Sequence, residues 1–349
     1  MKAVICHDVE CIEVRDIPEP FLPGSEWVKI KVKAVGLCGS DIQKILYSWP
    51  PEGYIETQIL GHEIAGEVVE KGIDSKKFKI GDRVAVEPLV PCYQCDACKK
   101  GKYQLCSNLI SIGRNLQGGF ADYVCVPENQ LYKLPSEVSF IEGSMADLVA
   151  VAVHCVQMLD MRKDNCNVAI IGDGPLALIC CQVVKVFGAK QVTLVGKHDF
   201  RLKLAKDIGV DRTIYWNQVD NQLNNFDSSF NVVIEAVGGK QSVTLHKSIK
   251  IAAPGGTIAV LGVFDFDYEG KLPLREAFYK ELNIVGCNSY STWDYKKEFE
   301  IALSLMGKGL ININPIITHR LPLTDFCTGL NYVKRKVEEN LIKIVFQPL

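Results

Sequence analysis

The chain lacks a hydrophobic run long enough to cross a bilayer. Its longest apolar stretches, Leu148 to Val153 and Val168 to Ile171, fall far short of the roughly 20 residues that a spanning helix needs. Its first ten residues, Met1 to Glu10, break their apolar run too early for a secretory signal. Charge of one sign is also missing: 39 Lys and Arg stand against 41 Asp and Glu, for a formal net charge of -2. The basic residues are interspersed with acids, as where Arg335-Lys336 is followed by Glu338-Glu339, which describes solvated helix faces and excludes a nucleic-acid footprint. No internal repeat or low-complexity segment is visible. What is there is a soluble globular composition, 48% hydrophobic and 23% charged, over 349 residues. That length is too great for one ordinary core and implies two domains. Fourteen cysteines without a secretory signal read as reduced thiols of a cytoplasmic protein, some of them on metal. Cys166, Cys180, Cys181, Cys287 and Cys327 sit among apolar neighbours, as small core residues do.

The grammar of the chain changes near residue 150. Before it, short strands are punctuated by glycine: Val28 to Val35 with period two, Glu67 to Glu70, Arg83 to Glu87 and Phe120 to Val126. Such a series suggests a small barrel or sandwich. After it, apolar strands alternate with helices: Asn167 to Gly172, a helical run from Pro175 to Phe187, Gln191 to Val195, a helix from Phe200 to Ile208, then Arg212 to Tyr215, Asn231 to Glu235, Gly256 to Gly262 and Asn283 to Gly286. This pitch predicts a parallel sheet wound by helices on both faces. The expected division is 1–149, 150–288 and a tail, 289–349, that returns to the first domain with a helix from Lys296 to Met306 and a closing strand, Ile342 to Phe346.

Cys92, Cys95, Cys98 and Cys106 lie within one short lobe, about residues 88–108, at spacings that let four thiolates converge on one tetrahedral Zn²⁺. Cys38 and Gly61-His62-Glu63 lie upstream and offer ligand types for a second metal. A thiolate, an imidazole and a carboxylate leave one tetrahedral position open to substrate. A hydroxyl bound there becomes more acidic, and the C–H bond beside an alkoxide is a hydride donor for a nicotinamide.

A nicotinamide site is also present in the pattern. Gly172-Asp-Gly174-Pro175-Leu176-Ala177 follows a predicted strand and opens a predicted helix, as G-x-G-x-x-A should. The helix N-terminus suits a pyrophosphate. The second strand ends in Gly196 rather than an acid, with Lys197, His198, Asp199 and Arg201 after it. Room and positive charge at this point favour NADP(H) over NAD(H). Val237, in the turn that caps the fourth strand, and Gly262, after the fifth, are further candidate cofactor contacts.

Gly61-His62-Glu63-x-x-Gly66-x5-Gly72, preceded by Gly36-Leu-Cys38-Gly-Ser40-Asp41 and followed by Gly81-Asp-Arg-Val, resembles the zinc-containing medium-chain alcohol and polyol dehydrogenases. Leu89 to Cys95 and Ser111 to Tyr123 look most like the galactitol-1-phosphate and sorbitol dehydrogenase branch. The resemblance implies a GroES-like β-barrel catalytic domain, a Rossmann domain, a structural zinc and a catalytic zinc in the cleft between the two domains. It implies Cys38 and His62 as zinc ligands, and Glu63 as a ligand that alternates with water or lies just behind the metal. It makes Ser40 the hydroxyl that relays the proton; many relatives carry a His three residues on, where this chain has Gln43. The family's third ligand position falls at Asp147, where polyol enzymes usually have Glu, so Asp147 is a zinc ligand, directly or through water, or a helix cap. Relatives form homodimers or homotetramers, usually through cofactor-domain edge strands.

The expected reaction is hydride transfer between NAD(P) and a secondary hydroxyl of a polyol, sugar phosphate or cyclitol. Lys44, Trp49, Tyr54, Arg114, Asn115 and Tyr290 are candidate substrate contacts; Arg114 or Lys44 would suit a phosphate, and Trp49 or Tyr54 a ring. An aminocyclitol (2-deoxy-scyllo-inosamine-type) dehydrogenase and a catalytically retired relative kept for binding or assembly are the alternatives.

Overall fold

The structure, a computed structural model, describes residues 1–47, 58–159, 161, 166–219, 229–239, 242–264 and 271–348. The chain forms two compact units. One comprises Met1–Asp147, Asp294–Gly307 and Ile316–Leu349; the other comprises Leu148–Trp293 and Lys308–Pro315.

The first unit is built on a seven-stranded sheet. Its order is Ile317–Pro322, Lys343–Gln347, Trp27–Gly36, Glu63–Lys71, Arg83–Val86 and Leu131–Lys133, with Tyr123–Pro127 also paired to Trp27–Gly36. The period-two pattern of residues 28–35 predicts a strand with one wet face. In the sheet this strand has three neighbours, and Val28, Lys29 and Ile30 are all buried. Lys29 tolerates this because its ammonium reaches out to Glu70, 2.5 Å away. The tail strand Lys343–Gln347 joins antiparallel at the far end, pairing Val345 with Gly36. Gly36 in turn faces Glu63 across the next ladder, so register alone brings Gly36, Glu63 and the start of the tail strand together. Phe120, Phe326 and Phe346 fill the core beneath, with ring centroids 4.7 to 6.0 Å apart and mostly edge-on, as ring quadrupoles prefer.

The cysteine lobe leaves this unit between the short paired strands Leu89–Val90 and Ile110–Ser111. Lys297, from the tail, pins its base. The ammonium bonds Glu87 Oε2 at 3.0 Å and lies 5.3 to 5.8 Å from the ring centres of Tyr93, Tyr103 and Tyr132. Tyr132 donates to the same carboxylate at 2.7 Å. Burial, then Glu87, push the hydroxyls of Tyr103 and Tyr132 far up, so both stay protonated.

The second unit is a six-stranded parallel sheet in the order Arg212–Tyr215, Gln191–Gly196, Asn167–Ile171, Phe230–Glu235, Ala252–Val260 and Asn283–Gly286. Numbered along the chain this is 3-2-1-4-5-6, the Rossmann order, and it reverses between Asn167–Ile171 and Phe230–Glu235. Ala169, Ile171, Val233 and Ile258 are buried along the inner strands, as strands covered on both faces require. Asn283–Gly286 is an edge strand, with Ile284 38% exposed. Among the described residues, no helix is long and apolar enough to cross a membrane.

Candidate functional site

The turn before His62 shapes the first metal group. Gly61 has φ +88°, and a Cβ there would meet the Phe120 ring at 2.9 Å, so only glycine delivers His62 and Glu63 here. Cys38 precedes the helix Gly39–Leu46, its N–H held by Asp41 Oδ2 at 3.1 Å. The result is convergence: one ligand atom each from Cys38, His62 and Glu63, all within 4.8 Å of one another. Sulfur, imidazole nitrogen and carboxylate oxygen form a donor set that suits Zn²⁺.

Two charged partners stand behind these groups: Asp41, from the same short run as Cys38, and Lys343, which lies in no motif. Asp41, fully buried, lies 3.4 Å from His62 Nδ1 through its Oδ1. A proton on Nδ1 facing this carboxylate leaves Nε2 free to bind a metal. Burial would depress the His62 imidazole, but Asp41 and Cys38 overcome it and hold it well above its ordinary value. Lys343 grips Glu63 from the other side, with its ammonium 2.7 Å from Oε1 and 2.6 Å from Oε2, and both residues buried. Glu63 fits because residue 36 is glycine; a Cβ there would lie 1.9 Å from its Oε2.

Asp147 stands in the first turn of the helix Ala146–Gln157, outside the converging set. Ser40 is exposed one residue into its helix. Lys44, half-buried, is lowered by burial and partly restored by Asp41, with Arg114 lowering it further. Tyr290 is fully buried. Trp49 and Tyr54 lie outside the described residues.

The second group is Cys92, Cys95, Cys98 and Cys106, again within 4.8 Å. Sulfurs of Cys95 and Cys98 are 3.5 Å apart, and those of Cys92 and Cys98 are 4.0 Å apart. A tetrahedron with Zn–S bonds of about 2.3 Å has edges of about 3.8 Å, so the group fits zinc. Backbone N–H groups of Cys95 and Gln94 point at Cys92 Sγ, and that of Cys92 at Cys106 Sγ. Cys95 is pulled down to about 6, chiefly by the Cys98 backbone, whereas Cys98 is pushed up to about 12, chiefly by burial. The first protons leave such a cluster easily and the last resists, which a divalent cation reverses.

In the second unit, Gly172 turns at φ +120° with Ala236 O and Val237 Cγ2 each 3.1 Å from where a Cβ would be. Gly174 precedes the helix Pro175–Val186 and a Cβ on it would meet nothing within 4 Å, which leaves its backbone open to a pyrophosphate. Both glycines lie at the reversal of strand order, where this fold takes its ligand. Past Phe230–Glu235, the Glu235 carboxylate holds the turn through Val237 N at 3.1 Å, Gly238 N at 3.2 Å and Thr244 Oγ1 at 2.8 Å. Gly262 packs on that turn, where a Cβ would lie 2.3 Å from Gly238 N.

Asp173, between the two glycines, reaches the end of the second strand. Its Oδ2 accepts from the N–H groups of Lys197 at 2.8 Å and His198 at 2.9 Å, and Arg201 Nη1 lies 3.3 Å from Oδ1. Lys197 is exposed, but the Arg201 guanidinium is buried against this carboxylate. Nothing in the sequence marks Asp173, because the middle position of the glycine turn is a free slot in the pattern.

Residues 24–136 match the alcohol dehydrogenase GroES-like domain, and residues 175–308 match the zinc-binding dehydrogenase domain. The chain is 34% identical over 340 residues to a protein of Arthroderma otae named "Probable D-xylulose reductase A", covering 95% of this chain and 93% of that one. Galactitol-1-phosphate dehydrogenase from Escherichia coli superposes with a TM-score of 0.87 at 27% identity, over 100% of both chains. A protein of Sinorhizobium meliloti 1021 solved bound to NADP superposes with a TM-score of 0.89 at 28% identity, over 99% of both chains. The chain belongs to the zinc-binding, medium-chain alcohol and polyol dehydrogenases. It is an oxidoreductase with a GroES-like domain and a Rossmann sheet, of a family that uses zinc and NAD(P).

Proposed function

We propose that the chain moves hydride between NAD(P) and a secondary hydroxyl of a polyol, sugar phosphate or cyclitol, with one catalytic and one structural zinc per chain. The convergence of Cys38, His62 and Glu63 carries this reading. When bound, zinc supplies Lewis acidity to a substrate hydroxyl and the dinucleotide accepts hydride. Cys38 and His62 hold the metal, and Asp41 fixes the imidazole so that one nitrogen faces it. Glu63 supplies a carboxylate whose charge is shared with Lys343, so it binds a metal or yields to water. Ser40, at the exposed first turn of its helix, takes the hydroxyl proton toward solvent. Asp147 serves through water or as a helix residue. The four-cysteine lobe holds its loop and leaves no position for substrate.

Gly172, Gly174, Pro175 and Leu176 receive the pyrophosphate, Gly196, Lys197 and Arg201 border the adenosine end, and Val237 and Gly262 border the nicotinamide end. Arg114 and Lys44, whose charge Arg114 disfavours, are the cations that would favour a phosphate-bearing substrate within this class. We place the protein in the cytoplasm, in keeping with fourteen cysteines, none of which forms a disulfide among the described residues. Copies pair through the edge strand Asn283–Gly286.

Metal analysis of the purified protein should return two zincs per chain, and Cys98→Ser should return one. A cofactor-reduction screen of polyols, sugar phosphates, cyclitols and aminocyclitols should find turnover that Cys38→Ser abolishes. Full zinc loading with no turnover on any of these classes would overturn the substrate reading.

A further inference from the structure

In a dinucleotide-binding sheet, the acid that binds the ribose hydroxyls ends the second strand. Here that residue is Gly196, and the space over it is filled from elsewhere. A Cβ on residue 196 would lie 2.7 Å from Asp173 Cβ and 2.8 Å from its Oδ2. Asp173 thus carries a carboxylate from the first glycine turn to the place where the missing acid would begin.

The carboxylate also engages the basic side chains around it. His198 Nδ1 lies 3.0 Å from Oδ1 and 2.9 Å from Oδ2, in addition to the backbone bonds from Lys197 and His198 and the Arg201 contact. Asp173, His198 and Arg201 are 6%, 9% and 7% exposed, so this is a closed cluster. Arg201 lies beside the Phe200 ring as well, its guanidinium carbon 5.3 Å from the ring centre. Of the three basic side chains that follow Gly196, Lys197 alone is exposed.

We infer that Asp173 sets the choice of dinucleotide, in favour of NAD(H) over NADP(H). Two effects act together. A phosphate monoester carries about -1.5 to -2 charges at neutral pH, and a carboxylate over position 196 repels it. The guanidinium and imidazole that would pair with the phosphate are already bound. Freeing Arg201 would take from a buried carboxylate its ion-pair partner of fixed charge, which is costly. This inference rests on the dinucleotide reading of the Gly172–Ala177 turn. It reverses the expectation of NADP(H) that Gly196, Lys197 and Arg201 raise when met as a sequence.

The test is equilibrium titration of NADH and NADPH by nucleotide fluorescence, with displacement by 5′-AMP and by adenosine 2′,5′-bisphosphate to isolate the 2′-phosphate. Wild type should bind NADH at least tenfold more tightly than NADPH. Asp173→Asn, which keeps the shape and drops the charge, should narrow that ratio tenfold or more by strengthening NADPH. Asp173→Asn with Arg201→Gln should give the gain back. A wild type that prefers NADPH, or a ratio that Asp173→Asn leaves unchanged, overturns the inference. Should Asp173→Asn not fold, Arg201→Gln decides: unchanged NADPH affinity supports the inference and a tenfold loss overturns it. Failure of the turn reading itself looks different, since wild type would then bind neither nucleotide, and both readings would fall.

Discussion

Lys343 holds both oxygens of Glu63, at 2.6 and 2.7 Å, across 280 residues of sequence. Neither residue touches solvent appreciably, so the pair is a buried charge unit at the rim of the metal group. Removing one partner of such a pair typically costs about 3–5 kcal/mol, because the other charge is left buried alone. Lys343→Met should therefore lower the thermal midpoint markedly, and Lys343→Arg should recover most of it. The two should differ in zinc affinity by chelator competition, since Glu63 freed from its ammonium turns to the metal. Equal zinc affinity in wild type and Lys343→Met would show that Glu63 is not shared.

Acid should weaken the Asp173 cluster. Burial works to raise the Asp173 carboxyl, but the Lys197 N–H and His198 outweigh it, and the folded value lies below the ordinary one. A depressed carboxyl stabilises the fold fully above its unfolded value of about 3.9, and that contribution fades as pH falls through the lower folded value. The gap in thermal midpoint between wild type and Asp173→Asn should be open at neutral pH and narrow as pH falls below about 3.9. Melting curves across this range check it; a gap that stays at full size however far pH falls below the ordinary carboxylate range would show that the negative charge is not what stabilises.

The edge strand Asn283–Gly286 ends the parallel sheet with open backbone groups, and the neighbouring helix Leu274–Tyr279 exposes Leu274, Phe278 and Tyr279. An apolar edge of this kind is managed by pairing or covering. Sedimentation should find a dimer or tetramer, and Ile284→Lys should shift it toward monomer. A wild type that sediments as a monomer at micromolar concentration would remove the pairing proposal.

Much of this was legible because its signals are local. The cysteine lobe, the Gly-His-Glu turn and the glycine turn at Gly172 each occupy a short window, and period-two or apolar runs mark most of the strands. What escaped is long-range or hidden in a free slot. Nothing in Lys343 announces a partner at Glu63, because register across the Gly36 ladder makes that contact. The hairpin of Lys2–Asp8 with Cys11–Asp16 was missed because Ala3 to Cys6 are buried in succession, which leaves no alternation to see. Asp41 is three residues from Cys38, yet only its burial against His62 reveals its use.

The tail supplies cations to two carboxylates of the first unit: Lys343 to Glu63 and Lys297 to Glu87, the latter 210 residues apart. A ribosome adding roughly 5–20 residues per second needs tens of seconds to span such distances. During that interval the emerged part of the first unit holds two acids whose counterions have not been synthesised. Its sheet also lacks two strands. The first-made unit is therefore the last to mature, because its sheet and its buried charge pairs close only when the tail arrives.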